Sequence, residues 1–167
     1  MIKKIAIWVL CLSVLFGQFS IAEEKFLSLK KSKVNVRYGP SFDSEIKYIY
    51  KKINLPIKQI DQKENFRRIV DLKNNSGWIH VSQVKKSNSI IILENKILYR
   101  KPSNFSEPIA KLEKGRLLVL KKCKNAWCNV KTDNYSGWVK TENIWGSIKY
   151  VYRKINLPVK QIDKNTK

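Results

Sequence analysis

The chain has 167 residues, with 34 Lys and Arg against 13 Asp and Glu, for a formal net charge of +21. That length allows one ordinary domain or two very small ones. A hydrophobic content of 43% with five Trp excludes a disordered chain, and a single His leaves little material for metal ligation or His-based catalysis.

Residues 1–22 read as a secretory signal peptide. Lys3 and Lys4 form the basic start, Ile5 to Phe16 the apolar stretch, and Ser20-Ile21-Ala22 the small-residue site a signal peptidase cuts. Cleavage before Glu23 is expected, leaving a periplasmic or secreted protein without stable membrane insertion. Retention as an anchor is the other reading. It is weakened because a spanning helix needs about 20 apolar residues and Gly17, Gln18 and Ser20 interrupt this one. Cys11 lacks the small preceding residue of a lipoprotein signal. The surplus of Lys has two readings, a codon background rich in Lys, Ile and Asn, or selection for an anionic partner.

After Glu23 the chain reads as short strands broken by turns. Phe26-Leu27-Ser28-Leu29 alternates, and so does Val34-Asn35-Val36-Arg37 before Gly39-Pro40-Ser41 stops it. Ile46 to Tyr50 is an apolar and aromatic strand. Ile53, Leu55 and Ile57 alternate as a half-buried strand, with Pro56 where its missing N–H is not needed. Phe66 to Leu72 and Trp78 to Val81 complete a first module, with Ser76-Gly77 ending the turn between them. Strands this short, with turns every 8–12 residues, mean a small barrel or sandwich.

A second module follows without a linker. Ile90 to Leu93 starts it, and Ile97-Leu98-Tyr99-Arg100 is matched to Val34–Arg37. Pro102-Ser103 matches Pro40-Ser41, Trp127 matches Phe66, and Ser136-Gly137-Trp138-Val139 repeats Ser76-Gly77-Trp78-Ile79. The expected division is a signal peptide at 1–22, one domain at 26–86, a second at 89–146, and a basic tail at 147–167. The tail restates part of the first domain: Lys149 to Asp163 repeats Lys47 to Asp61 with only three conservative differences in 15 positions. It lacks a Gly-Trp strand, so it is not a third domain. It is either a loosely packed extension or a mimic of the 47–61 strand pair, competing for its place or adding to a sheet edge.

The sequence Asn35-Val36-Arg37-Tyr38-Gly39-Pro40-Ser41, the aromatic at Phe66 and the two Gly-Trp strands resemble the bacterial SH3-like (SH3b) family. The ending Asn143-Ile144-Trp145-Gly146 and the Cys123…Cys128 pair are similar to exported two-repeat members of alphaproteobacterial type. The resemblance covers most of 26–146. It implies an all-β fold of two tandem small SH3-like barrels, export, and binding of cell-wall peptides or peptidoglycan. The second module departs from the pattern, since its turn Arg100-Lys101-Pro102-Ser103 has no Gly.

Cys123 and Cys128 flank a predicted hairpin, where facing positions of an antiparallel pair lie within reach of a disulfide. Ile60 and Arg67 are matched to them in the first module. A metal or redox site is the rival reading, and no Cys-x-x-Cys spacing supports it. Phe66 and Ile69 are three apart, as are Trp127 and Val130, so on a regular strand each aromatic faces away from its core partner. Phe66 and Trp127, with Tyr38 and Tyr99 near the equivalent turns and Arg37 of the Arg37–Ser41 turn, are the candidate ligand-binding residues, and the same rings can instead be covers over barrels too small to bury them. Trp78, Trp138 and Trp145 are assigned to the core, with Trp145 plugging the second barrel. His80 is read as a solvent-facing strand residue. No Ser-His-Asp setting, carboxylate pair or Gly-rich phosphate loop is present, so no catalytic residue, cofactor or metal is assigned.

The expected function is that of an exported, non-enzymatic binding protein for peptidoglycan or its peptides. The alternative is an interaction module for an extended peptide of an envelope protein. Nucleic acid, which charge alone suggests, is disfavoured by the signal peptide.

Overall fold

A computed structural model describes residues 24–148. The signal peptide at 1–22 and the tail beyond Ile148 lie outside the described residues, so the readings made of them are neither supported nor opposed by it. No helix among the described residues is long and apolar enough to cross a membrane.

Period-two alternation builds both halves. The first consists of β1 (Lys25–Leu29), β2 (Val34–Arg37), β3 (Ile46–Tyr50), β4 (Pro56–Lys63), β5 (Phe66–Val70), β6 (Ser76–His80) and, after a short 3-10 turn at Val81–Gln83, β7 (Val84–Lys86). The second consists of β8 (Ser89–Ile92), β9 (Lys96–Tyr99), β10 (Pro108–Leu112), β11 (Leu117–Lys124), β12 (Trp127–Thr132), β13 (Tyr135–Lys140) and β14 (Ile144–Gly146). The strand orders are β3-β2-β6-β5-β4-β1-β7 and β10-β9-β13-β12-β11-β8-β14, one order used twice. This is the expected all-β pair of tandem SH3-like modules. Each sheet wraps its own core. Leu29, Val34, Val36, Ile57, Ile69 and Ile79 fill the first. Ile90, Ile92, Leu98, Leu118, Val130 and Val139 are the centre of the second.

Turns fall where the sequence supplies residues that tolerate a left-handed backbone. Among the described residues, four of the six non-glycine residues at positive φ are Asn: Asn54, Asn74, Asn125 and Asn143. The short polar side chain of Asn makes that conformation less costly than it is for most residues. Ile53 sits beside Asn54 in such a turn and is 49% exposed, so the expected strand through Ile53 begins instead at Pro56. As the first residue of β4, Pro56 gives up no needed donor.

The Gly-Trp phrase marks where two strands cross at close range. Arg37 pairs with Trp78, and Tyr99 pairs with Trp138. A Cβ on Gly137 would lie 2.7 Å from the Tyr99 carbonyl oxygen and 2.8 Å from Leu98 Cγ. A Cβ on Gly77 would collide with Val36 Cγ1. Gly77 and Ile79 point inward, as do Gly137 and Val139, and alternation then turns Trp78 and Trp138 outward. Both tryptophans are half-buried on the outer face, which corrects their assignment to the core; Lys122 Nζ lies 5.5 Å from the centre of the Trp138 ring.

That register also shifts the internal alignment by one residue. Tyr99, not Arg100, takes the place of Arg37. Arg100 takes the place of Tyr38: the Tyr38 amide donates to Glu45 O at 3.1 Å and the Arg100 amide to Glu107 O at 3.0 Å. Lys96 then falls at the buried position of Val34, where its ammonium meets Glu94 at 2.8 Å.

The modules touch through polar atoms. Ser28 and Ser89, both fully buried, share a hydrogen bond of 2.7 Å, and the Asn88 amide donates to Ser28 Oγ at 3.2 Å. Trp145 joins them: its Nε1 donates to Pro56 O at 3.2 Å, and its ring meets Phe26 edge-on at 5.2 Å. Trp145 thus packs across the junction on the first module rather than plugging the second.

Candidate functional site

Ile69 belongs to the first core, so Phe66, three residues earlier, lies on the outer face of β5. Its register partner on β6 is His80. The turn between β2 and β3 brings Phe42 over both. Ring centroids are 5.2 Å apart for Phe42–Phe66, 4.9 Å for Phe42–His80 and 5.2 Å for Phe66–His80. Phe66 is only 6% exposed, yet its cover is Phe42, which is itself 60% exposed. The ring expected to stand open is therefore the buried floor of a three-ring cluster.

The turn carrying Phe42 is tied down locally. Arg37 Nη1 donates to Ser44 O at 2.6 Å, the Asp43 amide donates to Ser41 Oγ at 3.1 Å, and a Cβ on Gly39 would lie 2.6 Å from Ser44 Oγ. Arg37 does a second thing: its guanidinium carbon lies 5.7 Å from the centre of the Phe42 ring. Tyr38, 64% exposed, is not in the cluster; its ring is met by Lys47 Nζ at 5.5 Å.

His80 Nδ1 lies 2.8 Å from Ser82 Oγ and accepts from the Ser82 amide at 3.3 Å. That pairing caps the 3-10 turn. Among the described residues, no group of three or more His, Cys, Asp or Glu is placed to hold a metal ion.

The second module repeats the surface with different chemistry. Trp127 pairs with Lys140, as Phe66 pairs with His80. Tyr99 meets Trp127 edge-on at 5.7 Å, and Lys140 Nζ lies 5.9 Å from the Trp127 ring centre. Val130 and Cys128 are core, so Trp127 faces out and is half-buried, as the spacing predicts. The turn has Asn104 where the first module has Phe42, and the neighbouring Phe105 is fully exposed, so among the described residues no ring covers Trp127 from that side. Arg100 and Glu107 pair through two contacts, 2.7 and 3.1 Å. The guanidinium holds the Glu107 carboxyl below its ordinary value by hydrogen bonding and then by charge. Lys96 and Asn143 lower that of Glu94 in the same way, by hydrogen bonding.

Of the five candidate residues, the structure brings together Tyr99 with Trp127 directly and Arg37 with Phe66 only through Phe42; it leaves Tyr38 apart. The residues missed were Phe42 and His80. The signal for His80 was its register opposite Phe66 across a short hairpin. Phe42 gave none, since a turn has no periodicity. The two sites share one design, aromatic rings on an outer sheet face with a cation beside each, able to stack on apolar or sugar faces and attract a carboxylate.

The disulfide forms as expected, between directly paired residues of β11 and β12 with Cα atoms 4.0 Å apart. Its register equivalents in the first module are Gln62 and Arg67, not Ile60 and Arg67.

The sequence profile of the bacterial SH3 domain matches residues 30–86 and again residues 94–146. No curated protein matches the chain. Among solved structures it is similar to NlpC2 from Trichomonas vaginalis, with 12% identity over 79% of this chain and 51% of that one, at a TM-score of 0.36. It is similar also to NlpC1 from Trichomonas vaginalis, with 10% identity over 80% of this chain and 50% of that one, at a TM-score of 0.36. The chain thus spans about half the length of each.

Proposed function

We propose, from the premise that the chain belongs to the bacterial SH3 domain family, that it is an exported, non-enzymatic protein that holds peptidoglycan or its peptides on the outer aromatic faces of its two modules. The observation that carries this reading is the Phe42–Phe66–His80 cluster, with Phe42 60% exposed beside the Arg37 guanidinium. An exposed ring next to a fixed cation suits a ligand with both an apolar face and a carboxylate. Peptidoglycan stems offer both, and the large surplus of Lys and Arg, of which cleavage removes only Lys3 and Lys4, steers the protein toward anionic envelope polymer. Export rests on the reading of residues 1–22, and the Cys123–Cys128 bond suits an oxidising compartment.

The test is co-sedimentation of the chain from residue 23 with isolated sacculi, across a salt series. Binding is expected to weaken as salt rises. Phe42→Ala should weaken it further by about 1 kcal/mol, roughly fivefold. Absence of binding at every salt concentration contradicts the proposal. Salt-insensitive capture of a single envelope protein would favour the alternative, an extended-peptide module.

A further inference from the structure

The outer strand of the second sheet is built differently from its counterpart in the first. β3 and β10 each stand at the end of their strand order, so among the described residues one side of each backbone has no strand partner. Val36 and Leu98 are core, and alternation turns Asn35 and Ile97 outward. Asn35 stands opposite Ile49 of β3, and Ile97 stands opposite Lys111 of β10. The same outward row thus ends on an apolar residue in the first module and on a cation in the second.

β10 also breaks register between Pro108 and Ala110, with Ile109 as the extra residue. A bulge of this kind bends its strand. Beside it a hollow of about 450 Å³ opens on the outer face, lined along its length by Ile97, Pro108, Ile109, Ala110 and Lys111. Ile97 is 45% exposed there. Lys96, at one end of the hollow, is buried and paired with Glu94. Lys111 is exposed, and among the described residues its ammonium meets no carboxylate. An apolar floor, an unpaired cation and an open strand edge therefore run together from Pro108 to Lys111. Four residues of strand span about 14 Å.

We infer that this edge takes an extended acidic segment of a partner protein, added as a further strand beside β10, with a carboxylate opposite Lys111 and an apolar side chain two residues away in the hollow. A sugar or a lipid tail can cover Ile97 but cannot pair with the backbone of β10, whereas an extended chain does both. Side chains two apart on the added strand reach the same face, so one chain meets the cation and the hollow at once. A second copy of this protein is the rival occupant. Pairing β10 with β10 brings Lys111 of both chains to one shared edge, and both chains carry a large surplus of Lys and Arg. An acidic partner replaces that repulsion by attraction. The ligand of the ring clusters plays no part in this docking.

The experiment follows amide chemical shifts of the chain from residue 23 as a blocked peptide is added. The probes are acetyl-Thr-Leu-Thr-Glu-Thr-Thr-amide and the same residues in reverse order, in which Leu and Glu share one face of a strand. The expected shifts centre on Ile97, Ala110 and Lys111 and spare Ile49 and Phe66. Lys111→Glu should weaken binding about tenfold, and peptides with Lys in place of Glu should bind the Lys111→Glu protein in preference to the wild type. Ile97→Asn, which installs the residue of the first module, should also weaken binding about tenfold and leave co-sedimentation with sacculi unchanged. Both positions are exposed, so neither change opens a core. Absence of shifts at β10 with both probes overturns the inference, as does equal binding of the Glu and Lys peptides. So do shifts at β10 that follow protein concentration without peptide, which would mean that a second copy takes the edge. Failure to bind sacculi would contradict the proposed function and leave this result standing.

Discussion

Gly137→Ala is the sharpest single change the fold offers. The added methyl would lie 2.7 Å from the Tyr99 carbonyl oxygen, 2.8 Å from Leu98 Cγ and 3.0 Å from Ile109 Cδ1. The side-chain contacts can yield by rotation, but the carbonyl belongs to β9 and moves only with its strand. Separating β9 from β13 loosens the pairing of Tyr99 with Trp138, the one link by which β9 joins the rest of its sheet. Overpacking of this kind costs about 1–3 kcal/mol. Gly137 has no positive φ, so the cost is steric alone. Gly115→Ala separates the two effects. Gly115 has φ +85° and nothing within 4 Å of an added Cβ, so only backbone strain, about 1–2 kcal/mol, is expected there. Urea unfolding followed by Trp fluorescence measures both. Gly137→Ala should also redden the Trp138 signal in the folded state, and Gly115→Ala should not. A Gly137→Ala protein within about 0.5 kcal/mol of wild type, with unchanged fluorescence, would refute the close-crossing account of the Gly-Trp strand.

Three further outcomes follow from the same geometry. Reducing Cys123–Cys128 removes a closed loop of six residues counting both cysteines, and should lower the stability of the second module by about 2 kcal/mol; an unchanged unfolding midpoint in reductant would contradict this. Burial first, and hydrogen bonding within the Tyr48–Tyr50–Asp71 group second, raise the phenol of Tyr50 above its ordinary 10.0, and burial raises that of Tyr48. A pKa raised on folding stabilises fully below the unfolded value and loses its contribution as pH rises past it. The first module should therefore weaken above pH 10, by at most about 1.4 kcal/mol per pH unit for each tyrosine, reduced by screening because both are only half-buried. Absorbance at phenolate wavelengths should show Tyr48 and Tyr50 ionising above their ordinary value, and titration of both near pH 10 would oppose this. Glu107 and Glu94 are lowered from 4.5, so their pairs with Arg100 and Lys96 persist above that pH and are lost as pH falls through the lowered values. Amide protection in the 100–107 turn, taken relative to the intrinsic exchange rate at each pH, should hold above pH 4.5 and fall as the pH drops through the lowered value of Glu107.

The fold was legible because its core repeats with period two. Val34 and Val36, Leu118 and Leu120, and the Gly-x-Ile and Gly-x-Val of the closing strands all bury alternate residues. What misled was size. Trp78 and Trp138 look like core residues because they are large and apolar, but the glycines before them already occupy the inward positions. The offset between the repeats was read from Arg37 and Arg100, whereas hydrogen-bond register places Tyr99 opposite Trp138. Register is a property of strand pairs, and one added or lost residue in a turn conceals it from a linear comparison. Phe66 and Trp127 were found as outward aromatics from their three-residue spacing to Ile69 and Val130. Their environments were not, because Phe42 reaches Phe66 from a turn and Trp145 reaches Phe26 from the other module. Long-range contacts of this kind leave no periodic trace.

The claim at the centre of this account is that the ring cluster over β5 and β6 is where the first module meets its ligand. Amide chemical-shift mapping of the chain from residue 23, titrated with soluble peptidoglycan fragments, tests it most directly. The account predicts that the largest shifts fall on Phe42, Phe66 and His80, with a smaller set on Tyr99, Trp127 and Lys140, and that Phe42→Ala raises the fragment concentration needed to shift Phe66 and His80 about fivefold while leaving the second set unchanged. Shifts confined to other faces, or an unchanged titration midpoint for Phe66 and His80 in Phe42→Ala, would contradict it.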